Sequence, residues 1–349
     1  MIHTLQSLRF IFIMLVVLSH YIGSSFDFGG ECGVSFFFML SGFVLSLAYS
    51  ERILKGLFST KPFCVKQWIK IYPLHIITFI IMFALDLRLE KYCEPEAAIA
   101  NLLLLQSWVP ADSFYFVANS PSWFLCDIMF FYVVFSPLNK LILRVDNIRL
   151  YSISLFVFLL YICLMVVLPS SLVNPVLYAN PLTRLLDFII GIILFKLYIS
   201  DKGIALKDKL VKKSSFVVSS MEFSLILLIV VTAIVYPHLQ PRVRTVFIFW
   251  LSIPLTIFFF ALSDQSKGVV SRFLQGKTML WLGNISFCLY IIHAPVLRIF
   301  NSISVQVGIS DLTTIHFILF TTILILFSHL TNKFNMAFLS KIRNTNFFK

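Results

Sequence analysis

Residues Leu5–Tyr21 read LQSLRFIFIMLVVLSHY. From Phe10 to Leu18 no polar side chain interrupts the run, and such uncharged length points to a helix immersed in lipid. A spanning helix needs about 20 mostly apolar residues. Ten stretches meet that need, near 8–25, 33–50, 71–88, 123–139, 150–168, 182–200, 216–236, 246–263, 280–300 and 313–331. An eleventh, Asn101 to Val109, is too short to span and is expected to be interfacial or re-entrant. The whole chain agrees: 59% of its 349 residues are hydrophobic and 13% charged, with a mean hydropathy of +0.93. Soluble domains are about 25% charged, so this chain could not clothe a water-facing surface. The expected fold class is an all-α polytopic membrane protein of about ten transmembrane helices, and a soluble enzyme is excluded.

The formal net charge of +12 is informative through its distribution. With the N-terminus inside, segments 51–70, 139–149, 201–215, 264–279 and 332–349 face the cytoplasm and hold 20 of the 28 Lys and Arg. The opposite loops and helix ends hold Arg88, Lys91, Arg184, Arg242, Arg244 and Arg298. This positive-inside bias predicts that both termini are cytoplasmic. It also accounts for the basic balance without a nucleic-acid partner. Residues 1–335 read as one transmembrane domain and 336–349 as a short basic cytoplasmic tail. The first apolar segment lacks a small-residue cleavage site and is expected to be retained as a span. Six cysteines show no CxxC spacing, so no metal or redox motif is indicated. Cys32 and Cys93 both fall in expected exoplasmic loops, as a disulfide or, more simply, as two unrelated thiols.

Titratable side chains inside a span are costly and mark function by default. Arg9 and His20 are separated by three helical turns plus about 20°, so they share one face, about 16 Å apart along the axis. Arg9 is expected near the cytoplasmic surface and His20 beyond mid-membrane. A neutral imidazole, with its ordinary pKa of about 6.5, suits a general base. The plainer alternative is a snorkelling Arg and a structural His. In GVSFFFMLSGF, the small residues Gly33, Ser35, Ser41 and Gly42 allow close helix approach. In FCVKQWIKIYPLH, Lys66 and Lys70 lie beside Trp68 and Tyr72 at the membrane entry. That fits positive-inside topology with an aromatic belt, or a cradle for a phosphate-bearing donor. Asp127 shares a helix face with Trp123, and Arg184 and Asp187 can pair at i, i+3. Tyr290 and His293 have the same spacing. Glu222 has no partner in its own segment, which predicts an interhelical contact or a protonated state. His3, His75, His238, His316 and His329 lack a supporting constellation and read as structural or interfacial.

Taken in order, LQSLRFIFIMLVVLSHY, GVSFFFMLSGFVLS, IKIYPLH, NLLLLQSWVP, SWFLCDIMFFY, RLLDFIIGIIL and ISFCLYIIHAPVL resemble the membrane-bound acyltransferase 3 family, whose bacterial members O-acylate envelope carbohydrates. The likeness covers nearly the whole chain. It implies a ten-helix, multi-pass protein of the bacterial inner membrane, surrounded by membrane lipid. It implies an acyl-CoA donor, most simply acetyl-CoA, used as a cytoplasmic co-substrate with no permanently bound cofactor. The implied acceptor is a hydroxyl of an envelope glycan or a lipid-linked sugar. The resemblance puts the catalytic role on His20 and an essential donor-site role on Arg9. Lys66, Lys70 and Tyr72 would complete the donor site, and Ser35, Trp123, Asp127, Arg184, Asp187, Tyr290 and His293 would line the substrate. There are departures from the family pattern. Lys66 and Lys70 stand where an Arg-rich run is usual, and lysine cannot grip phosphate bidentately. The usual Glu after Ser-Trp aligns with Ile128, so Asp127 is displaced by one residue, about 100° around the helix. Asp187 stands where Glu is common. The competing reading is a transporter or flippase of a lipid-linked sugar or small anion, which buried His, Arg and Asp would also suit. Two features favour the enzyme: no repeated halves are visible, and the Arg–His stripe joins a deep base to an anion site.

Overall fold

The computed structural model describes residues 2–244, 246–306 and 314–344, and every regular element among them is helical. The first seven helices are α1 (His3–Ile22), α2 (Asp27–Leu54), α3 (Thr60–Arg88), α4 (Pro95–Leu102), α5 (Asp112–Tyr115), α6 (Trp123–Arg144) and α7 (Asn147–Val167). They are followed by α8 (Ser170–Val173), α9 (Pro181–Tyr198), α10 (Asp201–Lys212), α11 (Ser215–Val235), α12 (Phe249–Leu262), α13 (Val269–Leu274), α14 (Lys277–Gln306) and α15 (Thr314–Asn344). Among the described residues, eight helices are long and apolar enough to cross a membrane. The other two expected spans form α9, which carries Arg184, Asp187 and Lys196, and α12. Helix α12 has 14 residues, about 21 Å against a hydrocarbon core of about 30 Å. Helix α15 continues through Asn344 into the stretch read as a tail. Residues 345–349, like position 313 at the start of the last expected span, lie outside the described residues.

Helix α1 packs between α2 and α14, α2 lies along α9, and α9 also meets α6. These five helices form the centre; α7 and α11 bury little of their surface. Lipid tails are as apolar as leucine, so helices in lipid associate through close van der Waals packing rather than the hydrophobic effect. At the α2–α9 crossing, a methyl group added to Gly42 would meet the Phe188 carbonyl, and one on Gly191 the Met39 carbonyl. The approach needs both glycines. It seals an aromatic core in which Phe36, Phe38, Phe43, Phe131, Phe135 and Phe188 are buried.

One boundary differs from expectation in a way that matters for the site. Helix α2 begins at Asp27 rather than near 33, so Glu31 and Cys32 are helical. Cys32 is therefore a buried helix residue and not a loop thiol, and all six cysteines are free. Outside the spans, burial and then the nearby Asp86 and Glu94 raise the Cys93 thiol above its ordinary pKa, which disfavours the reactive thiolate.

The 95–122 segment is re-entrant. The Tyr72 hydroxyl donates to the Leu102 carbonyl at 3.1 Å, and His75 Nε2 donates to the Asn101 carbonyl at 3.0 Å. Tyr72 lies about 24 Å along α3 from its Arg88 end, so the segment descends deep between the helices. Non-helical backbone survives at that depth only if protein satisfies it. Asn101 Nδ2 donates to the Val117 carbonyl (2.9 Å) and to Ser122 Oγ (3.0 Å). Asn119 Nδ2 donates to Thr78 Oγ1 and to the Ile291 carbonyl, both at 3.0 Å. Leu104 (φ 56°) and Ala118 (φ 52°) take the left-handed conformation at the turns, a costly arrangement that the surrounding bonds hold in place.

Glu222 of α11 makes the expected interhelical contact. Its carboxylate accepts the Val270 and Ser271 N–H groups of α13 at 2.8 and 2.9 Å, beside a bond from Val269 N–H to Ser219 Oγ at 3.0 Å. Replacing Glu222 by Ala leaves two helix-start donors unsatisfied and is expected to cost about 2–4 kcal/mol. A lowered midpoint of thermal unfolding in detergent, half restored in Glu222→Gln, checks this.

Candidate functional site

Helix α1 carries Arg9 and His20, and the structure gives His20 a partner that spacing alone could not reveal. The rings of His20 and His293 meet edge to face with centroids 4.8 Å apart, because α1 and α14 pack along their lengths. His20 Nδ1 lies 2.9 Å from the Val16 carbonyl. A carbonyl only accepts, so Nδ1 carries the proton and Nε2 keeps its lone pair. His293 is arranged alike: Nδ1 donates to the Tyr290 carbonyl at 2.5 Å, and Nε2 is buried with no hydrogen-bond partner among the described residues. The two rings differ in access. His20 is exposed, whereas His293 is fully buried. The result is one reachable imidazole lone pair backed by a second, sequestered one.

A second polar centre lies beside this pair. Arg184 and Asp187 form the expected intrahelical ion pair, Nη2 to Oδ2 at 3.1 Å, with both side chains fully buried. Arg184 Nη2 also donates to Ser35 Oγ at 3.3 Å, and its guanidinium faces the Phe38 and Tyr178 rings at 5.0 and 5.7 Å. Asp187 Oδ1 accepts from Trp250 Nε1 at 2.5 Å. Arg184 Nε and Nη1, both oxygens of buried Asp127, and Glu31 Oε2 have no hydrogen-bond partner among the described residues. Ser107 sits beside Asp127 and donates to the Trp123 carbonyl at 3.1 Å. The Tyr236 hydroxyl lies beside Glu31. Trp123 packs on Tyr178 at 4.9 Å, and burial, reinforced by Glu31, raises the Tyr178 phenol so that it stays protonated.

Tyr290 connects the two centres. Its hydroxyl donates to the Pro121 carbonyl at 2.7 Å, and its ring lies 5.1 Å from Phe124 and 5.8 Å from His293. Ser35, Trp123, Asp127, Arg184, Asp187, Tyr290 and His293 therefore belong to one connected region. The unassigned Glu31, Tyr178, Tyr236 and Trp250 join them.

The expected donor residues lie toward the other end of α1. Arg9 is half-buried, with Nε unpartnered among the described residues, and the Tyr132 hydroxyl is within its electrostatic reach. Tyr132 packs against Phe63 at 5.6 Å, one turn of α3 before Lys66. Lys66 and Lys70 are exposed. Tyr72 stacks on Trp68 at 4.0 Å, while its hydroxyl is occupied by the re-entrant segment. The histidines read as structural include three with clear bonds. His75 holds Asn101, His316 meets the Tyr21 hydroxyl at 2.7 Å and Ser304 Oγ at 3.0 Å, and His329 Nδ1 accepts from Trp281 at 3.3 Å. No group of three or more metal-binding side chains occurs among the described residues.

Comparison with known proteins bears on what such an arrangement does. The model of the acyltransferase domain family matches residues 2–331. The chain is also similar to acyltransferase MdmB of Streptomyces mycarofaciens, 26% identical over 286 residues that cover 77% of this chain and 68% of that protein. No solved structure matches it.

Proposed function

The chain belongs to the acyltransferase family whose model spans residues 2–331, and from that premise we propose that this membrane acyltransferase moves an acetyl group from acetyl-CoA to a sugar hydroxyl. The acceptor is a cell-envelope polysaccharide or a lipid-linked sugar, and the protein resides in the bacterial inner membrane with the donor on the cytoplasmic side. One observation supports the chemistry above the rest. His20 is exposed with Nδ1 committed to Val16, so Nε2 is free to take a proton.

In this reading His20 Nε2 removes the acceptor O–H proton as that oxygen attacks the thioester carbonyl carbon. The C–S bond breaks, and the departing CoA sulfur takes the proton back from the imidazolium. No proton or electron is left over. His293 lies edge-on to His20 at 4.8 Å and holds the ring's orientation; being unprotonated at Nε2, it does not repel the passing imidazolium charge. Arg9, Lys66 and Lys70 attract the CoA phosphates, and Tyr72 offers a ring face. Ser35, Trp123, Asp127, Arg184 and Asp187 receive the acceptor. The buried aromatic walls exclude water, which would otherwise hydrolyse the thioester.

Expression in a host lacking the gene tests this reading. Mild alkali should release acetate from envelope carbohydrate only when the wild-type chain is present. Movement of a lipid-linked sugar across vesicles with no ester-linked acyl group would assign the protein to transport instead. Donor placement has its own test. Arg9→Ala is expected to weaken acetyl-CoA binding about 10- to 100-fold, the worth of one or two hydrogen bonds to a charged group. Arg9→Lys should recover only part of this, because lysine lacks the guanidinium fork. Equilibrium binding of acetyl-CoA to purified protein reads both.

A further inference from the structure

On the outer surface, away from the polar centres, α10, α11 and α12 enclose a groove of about 920 Å³. Its walls are apolar, formed by Leu206 and Leu210 of α10, Phe216 and Leu228 of α11, and Phe258 and Leu262 of α12. The residues at its two ends along α11, Phe216 and Leu228, lie about 18 Å apart. That length matches one leaflet of a hydrocarbon core about 30 Å thick. Helix α10 supplies one wall of the groove. Along it, Lys202, Leu206, Lys209 and Leu210 fall at i, i+4, i+7 and i+8, so both groove leucines are flanked by lysines on one side of the helix. Lys213 follows directly. All three lysines are exposed, and none forms an ion pair among the described residues. Asp201 and Asp208 lie about 100–120° around the helix, and Lys207 is directed at the Tyr198 ring at 5.9 Å.

An ordinary lipid-facing surface explains apolar walls but not a concavity one leaflet long walled by a helix that, with the residue following it, carries three lysines with no ion pair among the described residues. We propose that this groove is a binding site for an anionic phospholipid: an acyl chain lies against α11 and α12, and the headgroup phosphate meets Lys202, Lys209 and Lys213. The side of the membrane bearing most Lys and Arg is where anionic headgroups concentrate. Selectivity comes from the lysines and capacity from the groove.

The full-length protein, delipidated in dodecyl maltoside, is titrated with dioleoylphosphatidylglycerol or dioleoylphosphatidylcholine, and retained lipid is counted by native mass spectrometry. The anionic lipid should be retained at concentrations at least about tenfold lower, a preference that 0.5 M salt erodes. The triple variant Lys202→Gln, Lys209→Gln, Lys213→Gln changes only exposed side chains, so it should fold normally and lose the preference. Ser224→Trp, which fills the groove, should reduce retention of both lipids. Equal retention of the two lipids by the wild type, or an undiminished preference in the lysine variant, overturns the proposal. So does a disulfide-linked dimer formed through Ser224→Cys in lipid-replete membranes, because a second chain would then occupy the groove.

Discussion

His20→Ala is expected to lower acyl transfer by about two to four orders of magnitude, the usual contribution of a positioned general base, while the helix bundle stays folded. Both halves of that result follow from the ring's position. Its imidazole is exposed near the end of α1, so truncation opens no closed cavity, and the lost bond is one to the helix's own Val16 carbonyl. The lone pair on Nε2 has no replacement within reach, since His293 is fully buried behind it. Glutamine can still donate to Val16 but cannot act as a base at neutral pH, so His20→Gln should be as inactive as the alanine variant. Because the ring is exposed, free imidazole should restore part of the activity to His20→Ala and none to Arg9→Ala. Ester-linked acetate on the acceptor and the thermal unfolding midpoint together read the outcome. A folded His20→Ala protein that transfers acetyl at the wild-type rate removes the base from the mechanism.

The second large effect falls on stability. Arg184→Met leaves the fully buried Asp187 carboxylate without its cation, 3.1 Å away, and a broken buried ion pair costs about 3–5 kcal/mol. Removing both partners is much less costly, because no uncompensated charge remains. The double variant Arg184→Met, Asp187→Leu should therefore recover most of the lost stability, short of about 1 kcal/mol for the Trp250 N–H left unpaired. Transfer activity separates structure from function here. If the Arg184–Asp187 pair only holds the fold, activity returns with the double variant; if the pair, with the buried Nε and Nη1 donors of Arg184 that have no partner among the described residues, receives the acceptor, the protein is stable and inactive. The latter is expected.

What could be read from the chain without coordinates was what is local to one helix. The apolar run in α1 announces a span because ten uncharged positions have no other use, and Arg184–Asp187 is legible because i, i+3 neighbours must touch. The Asn101–Val109 segment is too short to span, which leaves it interfacial or re-entrant; its hydrogen bonds to Tyr72 and His75 decide for the latter. Contacts between helices were out of reach: the His20–His293 pair needs the crossing of the first span with the penultimate one, and Glu222 needed Val270 and Ser271 of α13. Glu31 was missed for a different reason. Gly29 and Gly30 have poor helix propensity, so the segment reads as a loop, yet Gly29 sits against the Leu15 carbonyl and Gly30 against Ser19, where tertiary packing overrides propensity.

The re-entrant segment also sets the timing of biogenesis. Asn119 is satisfied by the Ile291 carbonyl, 172 residues downstream, and the Pro121 carbonyl by Tyr290, 169 residues downstream. At a synthesis rate of about 5–20 residues per second, roughly 10–30 s pass between emergence of the segment and arrival of its partners. During that interval the Pro121 carbonyl and one Asn119 N–H lack their α14 partners, while Tyr72, His75 and Thr78 already hold the rest of the segment. Docking of the segment's far end against α14 is then a late step, and truncation of the nascent chain before α14 should leave residues 117–122 more open to protease.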